Sequence, residues 1–181
     1  MAVRLRKTVA LVGMMGAGKT ALGQGLARRL GVTFLDSDTE IEAAARMEIS
    51  EIFARDGEPF FRRREAQVIA RLLDGPPAVL STGGGAWMEA ENRRAIGAVG
   101  VSLWIDAELD VLWARVKGKT ARPLLQTDDP RATLAALYEA RRPSYAMADL
   151  RIRSEPELSV ADMVDRALAA LATRDDVLEG A

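Results

Sequence analysis

A glycine-rich run between two predicted elements, at positions 13–20, carries the clearest chemical signal in the chain. Two glycines separated by four residues precede a lysine and a hydroxyl residue, which is the pattern of a phosphate-binding loop. Glycines let successive backbone N–H groups point at phosphate oxygens, Lys19 can reach the β- and γ-phosphates, and Thr20 offers a hydroxyl to Mg²⁺. The run therefore predicts a nucleoside triphosphate site made of Gly13, Met14, Met15, Gly16, Ala17, Gly18, Lys19 and Thr20.

Two carboxylates, Asp36 and Asp38, follow a second short apolar run at positions 32–35. Ligands of open α/β sheets collect at the carboxyl ends of strands, and residues two apart on an extended segment face the same side. An isolated Asp-x-Asp more often forms a turn, with Ser37 or Asp38 capping the next helix. Because this one follows the phosphate loop by one helix and one strand, it is a candidate for binding Mg²⁺ and a substrate hydroxyl.

Arginines are concentrated at positions 62–64 in a predicted helix. Three successive guanidinium groups on a helix point in different directions, so at most two can enter one site. Arg62 and Glu65 are three residues apart and can pair on one face, which would fix the direction of that guanidinium. Arg63 and Arg64 are interpreted as a solvated basic surface.

Three consecutive glycines, Gly83, Gly84 and Gly85, follow a third short apolar strand at positions 78–81. A purely structural turn seldom needs three glycines, because each one loses much conformational entropy on folding. Their N–H groups are open to an anionic ligand that approaches the backbone closely. A flexible strand-to-helix turn is the alternative.

The segment 117–129 is basic, contains glycine and is bounded by proline, which is typical of a mobile lid rather than a core element. Its Lys119 and Arg122 could close over phosphates, although a solvated surface loop has the same composition. A helix is predicted after the lid at 130–140, and a further basic run, 141–145, follows it.

Composition restricts the possible classes of protein. The 181 residues have a formal net charge of −1, 49% hydrophobic residues, no cysteine and no histidine. Acid–base chemistry therefore falls to carboxylates, Lys or Tyr. The charge balance gives no reason to expect a nucleic acid or membrane partner. The basic start at 1–7 runs directly into the first predicted strand, so we expect no signal peptide and a cytoplasmic protein.

The elements that must position these residues are five short strands alternating with helices. The strands are predicted at 8–12, 32–35, 78–81, 99–105 and 150–153. This alternation predicts an α/β fold, with a five-stranded parallel sheet covered on both faces. We expect one domain, 1–181, with a helical lobe at about 37–73 that is interrupted at 56–59, a lid at about 117–129, and a frayed tail at about 174–181.

Taken together, these motifs resemble the shikimate kinase family of small P-loop phosphotransferases, which are related to nucleoside monophosphate kinases. The resemblance runs from about 8 to 171 and rests on Gly-Met-Met-Gly-Ala-Gly-Lys-Thr, Phe-Leu-Asp-Ser-Asp, Ser-Thr-Gly-Gly-Gly-Ala, Thr-Ala-Arg-Pro-Leu-Leu and Arg-Arg-Pro-Ser-Tyr, with the run from Ile52 through Phe61-Arg62. It implies a P-loop three-layer αβα fold and transfer of the ATP γ-phosphoryl group to the 3-hydroxyl of shikimate, on the route to aromatic amino acids. It also implies a monomer that uses ATP and Mg²⁺.

The resemblance also implies roles for individual residues. Asp38 matches the aspartate that binds the reacting hydroxyl, and Asp36 matches an aspartate on the Mg²⁺ side that acts through water, together with Thr20. Arg62 and Arg141 match the pair that binds the shikimate carboxylate, assisted by the N–H groups of 83–85, and Arg142 is interpreted as a surface residue. Arg122 matches the lid arginine that meets phosphates and substrate, and Arg115 matches the residue that packs on adenine. Lys19 and Arg122 are expected to screen charge on the transferring phosphoryl group.

Two departures from the family pattern bear on these expectations. Pro59 and Phe60 stand where the family has polar residues, so the start of that helix is expected to be shifted. The loop 154–159 lacks an arginine found in some relatives, and no adenine contact is assigned to it.

Two rival functions fit part of the pattern. A gluconate or nucleoside monophosphate kinase could use the same core, but paired arginines with a triple-glycine loop favour a compact carboxylate over a nucleotide. Gluconate also has a carboxylate, so this argument alone does not decide between the acids. A nucleotide-binding switch is opposed by the separate acceptor residues Asp38, Arg62 and Arg141.

Overall fold

The computed structural model describes residues 3–119 and 122–180. Its strands are β1 (Arg4–Leu5), β2 (Thr8–Val12), β3 (Phe34–Asp36), β4 (Val79–Ser81), β5 (Gly100–Ala107), β6 (Leu150–Ser154) and β7 (Leu178–Glu179). Its α-helices are α1 (Lys19–Leu30), α2 (Ser37–Ala45), α3 (Ile49–Leu73), α4 (Ala90–Val99), α5 (Leu109–Val116), α6 (Pro130–Tyr145) and α7 (Val160–Leu171). Two short 3₁₀ helices occupy Ala86–Met88 and Pro123–Leu125.

Five strands form one parallel sheet in the order β3-β4-β2-β5-β6. The five residues of β2 are all buried, as expected for a central parallel strand covered on both faces. The predicted α/β fold with five parallel strands is confirmed. Strand β2 has the predicted bounds and the others differ by one or two residues. Strand β3 begins at Phe34 and not at Val32, whose N–H still donates to the Ala27 carbonyl of α1.

Helices cover both faces of this sheet. The chain passes from β2 to β3 in one direction across the sheet and then returns through β4, β5 and β6 in the other. Right-handed crossovers place helices on opposite faces when the direction reverses. Helices α1 and α7 pack against each other, while α4 packs on β5 and against α3. The carboxyl ends of β2, β3 and β4 consequently open at one edge, where α/β sheets bind ligands.

The helical lobe has its own small core. Ile41, Ile52, Phe61 and Val68 form a buried cluster separate from the main one. Within α3 the chain is non-helical at Gly57, with φ 81° and ψ 169°, which matches the predicted interruption. Pro59 lies in the first turn after this kink. Backbone N–H groups in a first turn have no carbonyl partner within the helix, so the missing N–H of proline costs no hydrogen bond there. The second half of α3 therefore starts before Phe60, in agreement with the expected shift.

Helix α6 is longer than predicted at its carboxyl end. We expected it to end near residue 140, but it continues through Pro143 to Tyr145. Tertiary contacts explain the extension, because Trp87 Nε1 donates to the Ser144 carbonyl over 2.7 Å and the Tyr145 side chain is buried. In the part of the chain that is described, no helix combines the length and the apolarity needed to cross a bilayer.

The expectation of a frayed tail at 174–181 is wrong for the residues described there. Strands β1 and β7 pair antiparallel, with Arg4 opposite Glu179 and Leu5 opposite Leu178. Val177 is fully buried and Leu178 nearly so. The tail is held because its two apolar side chains complete the main core beside Leu5.

Candidate functional site

The glycine-rich loop joins the end of β2 to the start of α1, as its pattern predicts. Gly16 and Gly18 have φ values of 82° and 96°, a left-handed conformation that other residues rarely adopt. Gly18 precedes α1 directly, so the free N–H groups and the positive end of the helix dipole face the loop. This geometry suits an anion such as a phosphate.

Lys19 is a buried cation that projects into this loop. Its Nζ donates to the carbonyls of Gly13 over 2.7 Å and Met14 over 3.0 Å. Burial lowers the pKa of Lys19 to about 8, against the opposing attraction of Asp38. The hydrogen bonds of this ammonium group go to neutral carbonyls and not to a carboxylate, so the group suits contact with a polyphosphate. Thr20, the second residue of α1, is exposed at the same end.

Asp36 and Asp38 take different roles at the end of β3. Asp36 caps α2, since its Oδ1 accepts hydrogen bonds from the N–H groups of Asp38 and Thr39 over 2.9 and 3.2 Å. The sequence had left Ser37 or Asp38 as the cap. Asp38 is freed from capping, and burial, reinforced by the charge of Asp36, raises its pKa to about 6.

A magnesium ion is expected to bind together with the triphosphate, and the oxygen atoms near the phosphate loop are consistent with one. No group of three or more carboxylates that could enclose a metal occurs within 3–119 and 122–180. Mg²⁺ in phosphoryl-transfer sites is usually held by one or two protein oxygens, phosphate oxygens and water. The Thr20 hydroxyl and the Asp36 carboxylate fit that sparse protein contribution.

The three glycines after β4 each face a charged side chain. A Cβ at Gly83 would lie 2.9 Å from Asp38 Oδ1 and 3.0 Å from Glu65 Oε2. At Gly84 it would lie 3.3 Å from Arg141 Nη1, and at Gly85 2.7 Å from Arg62 Cζ. Any side chain here would collide with these groups or displace them. The glycine triplet is therefore the surface around which the predicted acceptor residues are assembled.

Arg62 is fixed by two carboxylates. Its Nη1 lies 2.8 Å from Glu65 Oε1, which confirms the predicted pairing, and its Nη2 lies 3.2 Å from Glu58 Oε1. The Glu65 side chain has no exposed surface, and burial raises its pKa to about 7 although Arg62 opposes the shift. Its second oxygen, Oε2, is buried without a hydrogen-bond partner among the residues described.

Arg141 is buried just before the last turn of α6, next to Gly84. Its Nη1 has no hydrogen-bond partner within the described ranges. The adjacent Tyr145 hydroxyl donates to the Gly84 carbonyl, and burial raises the pKa of Tyr145 to about 12. A buried donor without a partner is costly, so this position favours an anion that supplies the missing acceptor.

Arg142 is partly exposed, with 36% of its side chain accessible, but it is held by specific partners that the interpretation as a surface residue did not include. Its Nη1 donates to Asp106 Oδ1 over 2.8 Å and to the Tyr138 hydroxyl over 2.7 Å. The guanidinium also lies 5.2 Å from the ring centre of Trp104. The sequence could not reveal this role, because Asp106 and Trp104 lie on a distant strand.

One cavity brings these groups together. It has a volume of about 410 Å³ and lies between the phosphate loop, the helical lobe and the Arg122–Leu124 part of the predicted lid. Arg122 lines it, its buried Nε has no hydrogen-bond partner within 3–119 and 122–180, and burial lowers the pKa of Arg122. Thr120 and Ala121 of the predicted lid lie outside the described residues. Predicted residues that line the cavity are Met15, Asp38, Arg62, Gly83, Gly84, Gly85, Arg122 and Arg141.

Arg115 lies at a second, smaller cavity of about 240 Å³. Its Nη1 donates to the carbonyls of Gly16 and Ala17 over 3.0 and 3.2 Å, and its Nη2 donates to the Ser154 hydroxyl over 3.3 Å. These bonds fix the guanidinium plane beside the phosphate loop. Leu158, Val160 and Met163 give the cavity an apolar wall, which suits a flat aromatic base.

The family model for shikimate kinase matches residues 15–172. The chain belongs to the shikimate kinase family. It is 66% identical over 178 residues to a shikimate kinase of Ruegeria pomeroyi, covering 98% of this chain and 91% of that protein. It is 64% identical over 176 residues to a shikimate kinase of Cereibacter sphaeroides, covering 97% and 88% of the two chains.

Solved structures agree with this assignment. The structure of shikimate kinase from Acinetobacter baumannii in complex with shikimate superimposes with a TM-score of 0.88 at 36% identity, covering 92% of this chain and 93% of the other. Membership of the shikimate kinase family accounts for the P-loop fold, for ATP and Mg²⁺, and for a cavity that combines arginines with a carboxylate.

Sequence reasoning missed several groups that shape the acceptor cavity. Glu58 supplies a second partner to Arg62, and Ile49, Phe53 and Leu124 form apolar parts of the wall. No sequence signal identifies such apolar residues, since they look like ordinary core positions on a helix. The buried free oxygen of Glu65 is also invisible in the sequence, where only its spacing from Arg62 is seen.

Proposed function

We propose that this protein transfers the γ-phosphoryl group of ATP to the 3-hydroxyl of shikimate, giving shikimate 3-phosphate and ADP. One observation carries the choice of acceptor: the buried Arg141 Nη1, without a partner among the described residues, faces a cavity that also holds Arg62 and Asp38. This set matches a small ring with one carboxylate and several hydroxyls. Planar guanidinium groups bind carboxylates in a bidentate manner.

The triphosphate is proposed to lie on residues 13–20. Backbone N–H groups at the start of α1 and the Lys19 ammonium would contact its phosphates, and Arg115 would pack against the adenine. Mg²⁺, held near Thr20 and through water by Asp36, would neutralise charge on the β- and γ-phosphates. Arg122, which lines the same cavity as Asp38, would stabilise the negative charge that develops on the transferred group.

The acceptor is proposed to bind with its carboxylate between Arg62 and Arg141 and the N–H groups of the glycine triplet. Asp38 then orients the reacting hydroxyl and accepts its proton. Phosphoryl transfer through a loose transition state asks little more of a base, so alignment and exclusion of water supply most of the catalysis. The unpaired Glu65 Oε2 can accept a hydrogen bond from a second hydroxyl.

An acceptor panel tests this proposal. ADP formation from ATP and Mg²⁺ should rise by about two orders of magnitude or more with shikimate, and little with gluconate, quinate or AMP. Equal ADP formation with and without shikimate would exclude the kinase and favour a slow nucleotide-hydrolysing switch. A larger response to gluconate would instead identify a sugar-acid kinase on the same core.

We further propose that the protein is a monomer of the cytoplasm, where ATP is supplied. The large apolar side chains that are exposed within 3–119 and 122–180, Val3, Val99, Met147 and Val160, lie on four different segments. Isolated exposed apolar residues of this kind are normal on monomers. Sedimentation velocity at micromolar concentration should give a single species of about 20 kDa, in keeping with the chain mass of 19.6 kDa.

A further inference from the structure

The last turn of α6 is attached to the rest of the protein at three points. Trp87 Nε1 donates to the Ser144 carbonyl over 2.7 Å, and the Tyr145 hydroxyl donates to the Gly84 carbonyl. The third attachment is the 2.8 Å bond from Arg142 Nη1 to Asp106 Oδ1. All three lie within four residues of Arg141, whose free Nη1 faces the acceptor cavity.

Asp106 is the buried centre of the third attachment. Its side chain is only 6% exposed, and it accepts hydrogen bonds from Arg142 and from Arg151 on β6. Asp106 itself lies near the carboxyl end of β5. One carboxylate therefore ties together two neighbouring sheet strands and the end of α6, which carries an acceptor-binding arginine.

An aromatic side chain extends this cluster toward the glycines. The guanidinium groups of Arg142 and Arg151 lie 5.2 and 4.8 Å from the ring centre of Trp104. The Trp104 ring is 6.1 Å from the ring of Tyr145, which contacts Gly84. A shift of Arg142 would therefore disturb two features of the acceptor cavity together: the direction of Arg141 and the position of the glycine backbone.

We propose that Asp106 is a positioning residue for acceptor binding, and this inference rests on the proposed function. By holding Arg142, Asp106 fixes the end of α6 and so the direction in which Arg141 presents its free N–H. Removing the charge of Asp106 leaves two guanidinium groups without their shared carboxylate, and their mutual repulsion loosens this end of the helix. The phosphate loop lies between β2 and α1, and among the residues described Asp106 accepts hydrogen bonds from Arg142 and Arg151 and from no residue of that loop.

The test is Asp106→Asn, which keeps the size of the side chain and removes its charge. We expect the KM for shikimate to rise about tenfold or more, because small displacements of a binding group are strongly felt. The KM for ATP and kcat should stay within about twofold of the wild type. Shikimate affinity measured by calorimetry should fall in parallel.

Asp110→Asn is the matched control. Asp110 accepts from Arg131 over 2.8 Å, but its side chain is 86% exposed on α5, so this variant should keep wild-type constants. If Asp106→Asn does not fold, Arg142→Gln provides the second variant, since it leaves Asp106 paired with Arg151. A folded variant with an unchanged KM for shikimate, or with both KM values raised equally, would overturn the inference. Absence of shikimate-dependent ADP formation in the wild type would instead overturn the proposed function.

Discussion

Asp38 is the carboxylate best placed to orient an attacking hydroxyl. It lines the acceptor cavity, its charge interacts with Lys19, and Gly83 leaves room beside its Oδ1. Asp38→Asn should lower kcat by about a hundredfold to ten-thousandfold, the usual contribution of a positioned proton acceptor. ATP affinity, measured by calorimetry, should be retained, and exposed Asp74→Asn should behave as the wild type. Loss of ATP affinity in Asp38→Asn would show that this residue serves the nucleotide instead.

The raised pKa of Asp38, about 6, predicts a loss of activity in mild acid. The carboxylate form accepts the hydroxyl proton, so the rate should fall about tenfold per pH unit below pH 6. Unfolding driven by this group does not explain the loss: because its pKa is higher in the folded protein than the ordinary 3.8, its titration stabilises the fold as pH falls from about 6 toward 4.

The pH–rate profile of Glu65→Gln separates the two buried carboxyls. Burial raises the pKa of Glu65 to about 7, so its titration could also shape the acid limb. The variant should bind shikimate more weakly, since Arg62 loses a charged partner. Its rate should still fall below about pH 6, because Asp38 is unchanged. A flat profile down to pH 5 in this variant would assign the limb to Glu65.

Among the elements, α3 depends most on one unusual backbone conformation. Gly57 has φ 81° and ψ 169°, a region that residues with a side chain avoid. Gly57→Ala should lower the free energy of unfolding by about 1–3 kcal/mol. Gly97→Ala is the matched control, because Gly97 lies in α4 with open space around it, and alanine there should stabilise by about 0.5–1 kcal/mol. Urea unfolding of both variants measures the difference, and equal effects would contradict a strained kink.

Elements whose stabilising contacts are local were predictable from the sequence. The apolar run of β2, the glycine loop and the periodic leucines of α1 fix one strand–loop–helix unit, and Gly57 with Pro59 marks the kink in α3. The continuation of α6 through Pro143 was not predictable, since it depends on Trp87, which is 57 residues away along the chain from its partner Ser144.

In the candidate site, too, contacts between residues close in sequence were predictable and long-range contacts were not. Spacing along one helix was enough to pair Arg62 with Glu65. The role of Arg142 depends on Asp106, 36 residues away, and no local pattern indicates that contact. Asp36 caps α2 because its backbone is extended at the end of β3. Which residue takes this position depends on where β3 ends, and the sequence does not define that to within one residue.

At the scale of the whole molecule, the pairing of β1 with β7 joins the first and last strands of the described structure. Leu178 is only 5% exposed, whereas the neighbouring Glu179 forms an exposed ion pair with Arg6. Leu178→Ala should lower the free energy of unfolding by about 2 kcal/mol or more, as for other buried leucines. Glu179→Gln should change it by less than about 1 kcal/mol, because exposed pairs contribute little. Equal stabilities in chemical denaturation would indicate that the two strands separate in solution.

This pairing lies at the end of the sheet opposite the ligand cavities, because β1 leads directly into the start of β2. Arg4 and Glu179 are direct partners, so their Cα atoms are about 5 Å apart. A linker of a few residues would therefore span from Gly180 to Val3. A circularly permuted chain, opened in the exposed turn between α3 and β4 at Gly75, should therefore fold and phosphorylate its acceptor, with the phosphate loop now in the second half of the polypeptide.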